Sequence, residues 1–239
     1  QDNEGIVVGD RFSAVRARLN LESDVTDFLT IGANSQFGSR DESQVPASWT
    51  QMVNVSPWGS YYADDGVTLR RSPHDDPAIS SHPFLSMRYT DRAQNYTNFN
   101  SNVYARVQLP FGAYYQFNYV PYVQWYKYLN HQSSQHPTWS IDGGLATRSQ
   151  TQTYSWQIDN LLKWNNTFND IHFFDVTLLA NAEKFQSWHN RIDTQRFDPS
   201  DQLGYHNIGA GENPTVSSSD QYSTGDALMA RLHYGLMDR

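Results

Sequence analysis

The chain has 239 residues, with 25 acidic and 17 basic side chains and a net charge of −8, a balance that speaks against a nucleic-acid-binding surface. Its mean hydropathy is −0.68 and no run of 18 apolar residues occurs, which excludes transmembrane helices. A β-barrel stays open, because only every second residue of a barrel strand meets lipid. The absence of cysteine excludes a disulfide scaffold and thiolate metal sites. Aromatic residues make up 14%, with 15 Tyr and 7 Trp, more than a plain core needs. The opening Gln1–Gly5 has no basic stretch followed by an apolar run, so no signal peptide is expected there.

In chain order, period-two alternation predicts a first strand over residues 10–22. Ser13, Val15, Ala17, Leu19 and Leu21 form its apolar side, against Ala14, Arg16, Arg18 and Asn20. A turn at 23–27 leads to a second strand over 28–37, with Leu29, Ile31, Ala33 and Phe37 on one face. Residues 38 to about 96 read as a long loop, with five prolines and the acidic pairs Asp64-Asp65 and Asp75-Asp76. The third strand covers 97–109, with Phe99, Val103, Ala105 and Val107 alternating with Asn100, Asn102, Tyr104 and Arg106. Pro110-Phe-Gly112 is a tight turn. The fourth strand runs over 113–125, and 126–150 is a second long loop.

The stretch 153–188 reads as a long β-hairpin with a polar turn. In its first arm Trp156, Ile158, Asn160, Leu162 and Trp164 share one face, while Gln157, Asp159, Leu161 and Lys163 share the other. In the second arm Phe174, Val176, Leu178, Ala180 and Ala182 oppose Asp175, Thr177, Leu179, Asn181 and Glu183. Asn160, Leu161 and Leu179 break the alternation. Trp156 and Trp164 are separated by roughly 26 Å of strand, close to the height of the apolar band of an outer-membrane barrel. Residues 189–222 form a third long loop, and 223–237 a seventh strand with Leu228, Leu232 and Leu236 opposed to Arg231 and His233.

Connections after the first, third and fifth strands are short, and those after the second, fourth and sixth are long. One end of the sheet is trimmed and the other elaborated, as in barrels with short periplasmic turns and long external loops. Arg16, Arg18, Arg106 and Arg231 recur on polar faces, which suits a wet lumen better than a dry core. The predicted fold is all-β, an antiparallel up-and-down transmembrane barrel segment. Bacterial barrels have an even strand number, so seven strands predict an internal piece of a larger barrel.

Many short stretches, in order, resemble the barrel of SusC/RagA-type TonB-dependent transporters of Bacteroidota. They include Gly5-Ile-Val-Val-Gly-Asp-Arg11, Ser56-Pro-Trp-Gly-Ser60, Ser72-Pro-His-Asp-Asp-Pro77, Val107-Gln-Leu-Pro-Phe-Gly112 and Tyr154-Ser-Trp-Gln-Ile-Asp-Asn160. Val176-Thr-Leu-Leu-Ala-Asn-Ala-Glu183, Leu203-Gly-Tyr-His-Asn-Ile-Gly-Ala-Gly211, Thr224-Gly-Asp-Ala-Leu-Met-Ala-Arg231 and Leu236-Met-Asp-Arg239 continue the match. The resemblance implies import of oligosaccharides or peptides through the bacterial outer membrane. It implies a SusD-like surface lipoprotein as lid and coupling to TonB through parts absent from residues 1–239, all of which read as barrel with no plug. No enzymatic role and no cofactor is expected.

The residues offer few alternatives. His189 and His206 lie near Asp193, Asp198 and Asp201, as a divalent-cation or hydrolase site or as solvated loop polars; no mechanism-bearing spacing is present. Asp64-Asp-Gly66 and Asp75-Asp76 could bind calcium or simply make turns. Aromatic residues in or bordering the long loops are the candidate ligand contacts: Trp58, Tyr61, Tyr62, Trp125, Trp139 and Trp188. Sugar rings stack their C–H faces on such rings while polar neighbours take the hydroxyls. The alternative from another class is a soluble carbohydrate-binding β-domain.

Overall fold

The computed structural model describes residues 1–74, 81–136, 139–197 and 200–236. Eight strands form one antiparallel sheet in strict sequence order. They are β1 (Asp2–Glu4), β2 (Arg11–Thr26), β3 (Leu29–Asp41), β4 (Thr90–Gln108), β5 (Ala113–Gln132), β6 (Leu145–Phe168), β7 (His172–Gln195) and β8 (Glu212–Leu236). The helices α1 (Trp49–Asn54) and α2 (Leu85–Tyr89) lie in the connection between β3 and β4. The sheet is not closed: β1 and β8 are its two ends.

The expected count of seven strands is corrected to eight. The additional strand is the short β1, which pairs with Arg11–Ser13 through a turn at residues 5–10. Arg11 donates to both carboxylate oxygens of Asp2, at 3.0 and 2.5 Å. Three residues are too few for alternation to be visible in sequence.

The alternation of connections holds. The short ones are 27–28, 109–112 and 169–171, and the long ones are 42–89, 133–144 and 196–211. Asn169 and Asp170 both take positive φ, 52° and 55°, a conformation those residue types tolerate in tight turns, and the Ile171 N–H donates back to the Phe168 carbonyl at 3.1 Å. The second and third long loops are shorter than expected, because β5, β6, β7 and β8 run well beyond the apolar alternation. In those extensions apolar residues such as Leu129 and Ala146 are sparse and do not alternate, so period two leaves no mark on hydropathy. Pro214 lies in β8 where the β7–β8 pairing is irregular, between Asp193↔Thr215 and Gln195↔Glu212, so the missing N–H falls at a break in the regular ladder. Pro121 is inside the sheet, and the β4–β5 pairing is interrupted beside it, between Asn100↔Tyr122 and Val103↔Tyr119.

A dry core between two layers is not how this molecule is built. The one buried apolar cluster among the described residues is small: Leu129, Ala146, Phe197 and Tyr205, with Ala93 and Ile208 against it. It sits where the 196–211 connection folds back over the loop-bearing ends of β5 and β6.

Candidate functional site

Directly paired residues in an antiparallel sheet project to the same face. The register therefore sorts every strand residue onto one of two surfaces. Glu22, Gly32, Tyr104, Asn118, Asp159, Asn181 and Ala227 form one row across the sheet. Arg16, Arg18, Gln116, Lys163, Glu183 and Arg231 occupy the same face in neighbouring rows. On this polar face the side chains are knitted together. Asn181 donates to Asp159 at 2.7 Å, Arg106 donates to Gln116 at 2.9 Å, and Gln116 donates to Asn118 at 2.8 Å. Tyr104 on β4 reaches past Gly32 of β3 to Glu22 on β2.

The opposite face carries Leu29, Val107, Tyr115, Leu162, Leu178 and Ala230 in one row. Ile31, Ala105, Phe117, Asn160, Ala180 and Leu228 form the next. Leu19, Leu228 and Leu232 are 57%, 87% and 68% exposed, so the apolar surface is bare. The three exceptions to alternation now have a reason. Asn160 lies on the apolar face, and its side-chain oxygen accepts from the Tyr115 hydroxyl at 2.6 Å. Leu161 and Leu179 are direct partners and pair on to Met229, so they cover one another as an apolar island on the polar face.

Rings border the apolar face at the short-turn end. Trp164, Phe168, Phe174 and Tyr234 form a chain with centroid separations of 6.2, 6.0 and 5.1 Å. The Trp164 indole donates to the Phe111 carbonyl at 2.9 Å. At the other border Trp156 pairs with Lys184, whose ammonium lies 5.1 Å from the centre of the Tyr222 ring.

The six predicted contact rings do not converge on one site. Trp58 is 94% exposed in the 42–89 connection. Tyr61 packs on His82 and Phe84, at 5.1 and 6.2 Å between centroids. Burial pushes the His82 imidazole below its ordinary pKa, and its Nδ1 accepts from the Phe84 N–H at 3.1 Å. Tyr62 bridges to Leu69 and opens on an apolar recess of about 560 Å³ that Val8, Phe84 and Met87 also line. Trp139 lies 6.5 Å from the His136 ring in the 133–144 connection. Trp125 and Trp188, expected as the last strand residues at the borders of the second and third long loops, lie well inside strands, since β5 continues to Gln132 and β7 to Gln195. They share the apolar face, because each pairs with Gln152.

The two shorter connections are fastened to one another, which the sequence did not signal beyond the presence of Asp201. The Ser134 N–H donates to Asp201 Oδ2 at 2.5 Å, and His131 Nε2 stands 3.3 Å from the same oxygen. Gly144 takes φ +89°, and a Cβ there would meet Asp201 Oδ2 at 2.8 Å. Burial raises the Asp201 carboxyl, but the Ser134 N–H and the His131 ring outweigh it and hold the group below its ordinary value of 3.8. A depressed folded-state pKa stabilises the fastening above the unfolded value and is lost as pH falls through the folded one. The fastening is therefore expected to hold in full above pH ~4, to weaken below it and to open once pH has fallen through the depressed folded value. Under proteolysis by pepsin, which is itself active across the acid range, cleavage at residues 196–211 should rise in the parent only as pH falls below ~4, whereas Asp201→Asn should already be cut at the upper end of the range. Equal pH profiles for parent and variant would refute the assignment.

Among the described residues no three His, Asp or Glu side chains gather as metal ligands. Asp65 makes turn bonds, accepting from the Val67 and Thr68 N–H groups at 2.9 Å and from the Thr68 hydroxyl at 2.5 Å. His189 bonds Thr151 at 2.9 Å, Asp193 is taken by Arg191 and Thr147, and His206 lies on the Tyr205 ring. Asp75, Asp76 and Asp198 lie outside the described residues.

An open, up-and-down antiparallel sheet with one polar face and one ring-bordered apolar face defines a segment of a β-barrel. Solved structures agree on the fold. Two structures of the RagAB peptide importer, in open-open and closed-closed states, superpose with a TM-score of 0.73 at 13% and 11% identity. They match 95% and 98% of this chain, and 26% and 27% of theirs. A further RagAB peptide transporter structure gives 0.72 at 14% identity, over 96% of this chain and 27% of that one. The chain thus spans about a quarter of the length of the chains it resembles. No family model and no curated protein matches it.

Proposed function

We propose that the chain is a wall segment of a TonB-dependent, SusC/RagA-like importer of the bacterial outer membrane, carrying peptides or oligosaccharides beneath a SusD-like lipoprotein lid. The sorting of side chains by the register carries this reading. Charges and amides occupy one face over seven strands, which suits a wet lumen, and the other face is bare leucine, valine and isoleucine between rings, which suits lipid. Peptide cargo has the support of the structural neighbours; oligosaccharide cargo and the lid rest on the sequence resemblance. A soluble carbohydrate-binding domain is disfavoured by the same apolar face, since soluble monomers rarely expose so large a contiguous patch.

In this reading the long connections stand on the external side. Trp58 and Tyr62, the exposed ring and the ring beside the apolar recess, are then the best placed of the six to meet cargo. Trp58→Ala in the intact transporter is expected to weaken cargo capture about tenfold, the effect of losing one aromatic anchor. Titration of solubilised parent and variant with a mixed peptide pool and with a neutral oligosaccharide pool checks this. Parent protein that sediments with the outer membrane but captures neither pool would refute the importer.

A further inference from the structure

The reading above leaves Trp125 and Trp188 without a task, since they lie on the face turned from the lumen. Their surroundings are not those of rings immersed in lipid. Both pair with Gln152, so the two indoles flank that amide across three strands, roughly 10 Å apart. The adjoining row on the same face is Lys127, Gln150 and Asn190. Together these side chains line a recess of about 300 Å³. Lys127, Gln150, Gln152 and Asn190 are all exposed, and among the described residues none of their side chains makes a hydrogen bond or ion pair. Two apolar ring walls, three unengaged amides and one free ammonium suit a sugar ring: the indoles take its C–H faces and the amides its hydroxyls. The ammonium suits an acidic substituent.

The height of the recess selects among sugars. From Trp164 at the short-turn border to Gln152 is roughly 40 Å of strand, or roughly 30 Å along the axis of a barrel whose strands tilt by 35–45°. The apolar band of such barrels is about 25 Å tall. The recess therefore stands just above the band, outside the wall, at the level of lipid headgroups rather than in the path of cargo. Resting on the importer reading, we infer that Trp125, Gln152 and Trp188, with Lys127, Gln150 and Asn190, form a site for the sugar headgroup of an outer-leaflet glycolipid.

The test uses the complete transporter in nanodiscs, with deep-rough lipopolysaccharide as glycolipid and phosphatidylglycerol as an anionic lipid without a sugar ring of this kind. Retention of each is read by native mass spectrometry for the parent, Trp188→Ala, Gln152→Ala and Trp188→Phe. Glycolipid retention should fall at least about tenfold in Trp188→Ala, should fall in Gln152→Ala and should largely survive in Trp188→Phe, as stacking on a ring predicts. Phosphatidylglycerol retention should not change. Equal glycolipid retention by parent and Trp188→Ala would overturn the inference while leaving the importer intact. So would parallel loss of both lipids, which marks the ring as a general membrane anchor, or loss of cargo binding in place of glycolipid. Parent protein absent from the outer-membrane fraction would overturn the importer reading and the inference with it.

Discussion

In the importer proposed above, Leu178→Arg is expected to remove most of the assembled barrel from the outer membrane, whereas Leu179→Arg, one residue along, is expected to be tolerated. Leu178 pairs with Leu162 and Ala230 on the apolar face and is 42% exposed there. A guanidinium at the lipid midplane costs about 2–4 kcal/mol. Leu179 points the other way, into the small island with Leu161 and Met229 on the polar face. An arginine at 179 disrupts that island but keeps its charge among polar groups. Asp159→Asn is a second control, since the new amide oxygen can still accept from Asn181. The check is the heat-modifiable, folded fraction of each variant in isolated outer membranes. Equal yields from Leu178→Arg and Leu179→Arg would refute the face assignment and, with it, the barrel reading.

The second large effect is local. Phe197→Ala should free residues 196–211 and 133–144 without disturbing the strands beneath. Phe197 is 7% exposed and packs with Leu129, Ala146 and Tyr205, and that cluster is the apolar anchor of the fold-back. Its N–H donates to the Gly143 carbonyl at 3.2 Å, and the Arg196 N–H donates to the Asp142 carbonyl at 2.8 Å, so both connections hang on the same point. Truncating a buried phenylalanine costs about 3–5 kcal/mol, and the small cluster has little else to compensate. Hydrogen exchange in both connections should accelerate by at least about two decades. Amides around Ile158 and Leu178 should keep their protection. Unchanged exchange at 196–211 would mean that Asp201 and the backbone bonds suffice to hold the segment.

The central part of each long strand was legible in sequence because one face must be apolar and the other need not be. Val15, Leu19, Ile158, Leu162, Val176, Leu178 and Leu232 could be placed on one surface, and Arg16, Arg18, Asp159, Lys163 and Arg231 on the other, from spacing alone. The register then put them there. The extensions of β5 to β8 were not legible. Backbone pairing with neighbours holds them as strands, and such pairing leaves no periodic mark where apolar residues are sparse and do not alternate.

The same limit decided the candidate site. Residue type alone identified Trp125 and Trp188 as rings suited to a sugar, but left them at the borders of loops; the pairing of both with Gln152 showed that they stand side by side on one surface. Asn160 reads as a defect until Tyr115 is seen across the strand, and Leu161 and Leu179 until they are seen to face each other. The sequence by itself determined the alternation of short and long connections, the all-β class and the two-sidedness of the strands, because these depend on residues near one another in the chain. The eighth strand, the Asp201 fastening and the side on which each ring stands were decided by the tertiary structure, because they depend on register between distant strands, where a shift of one residue moves every side chain to the opposite face.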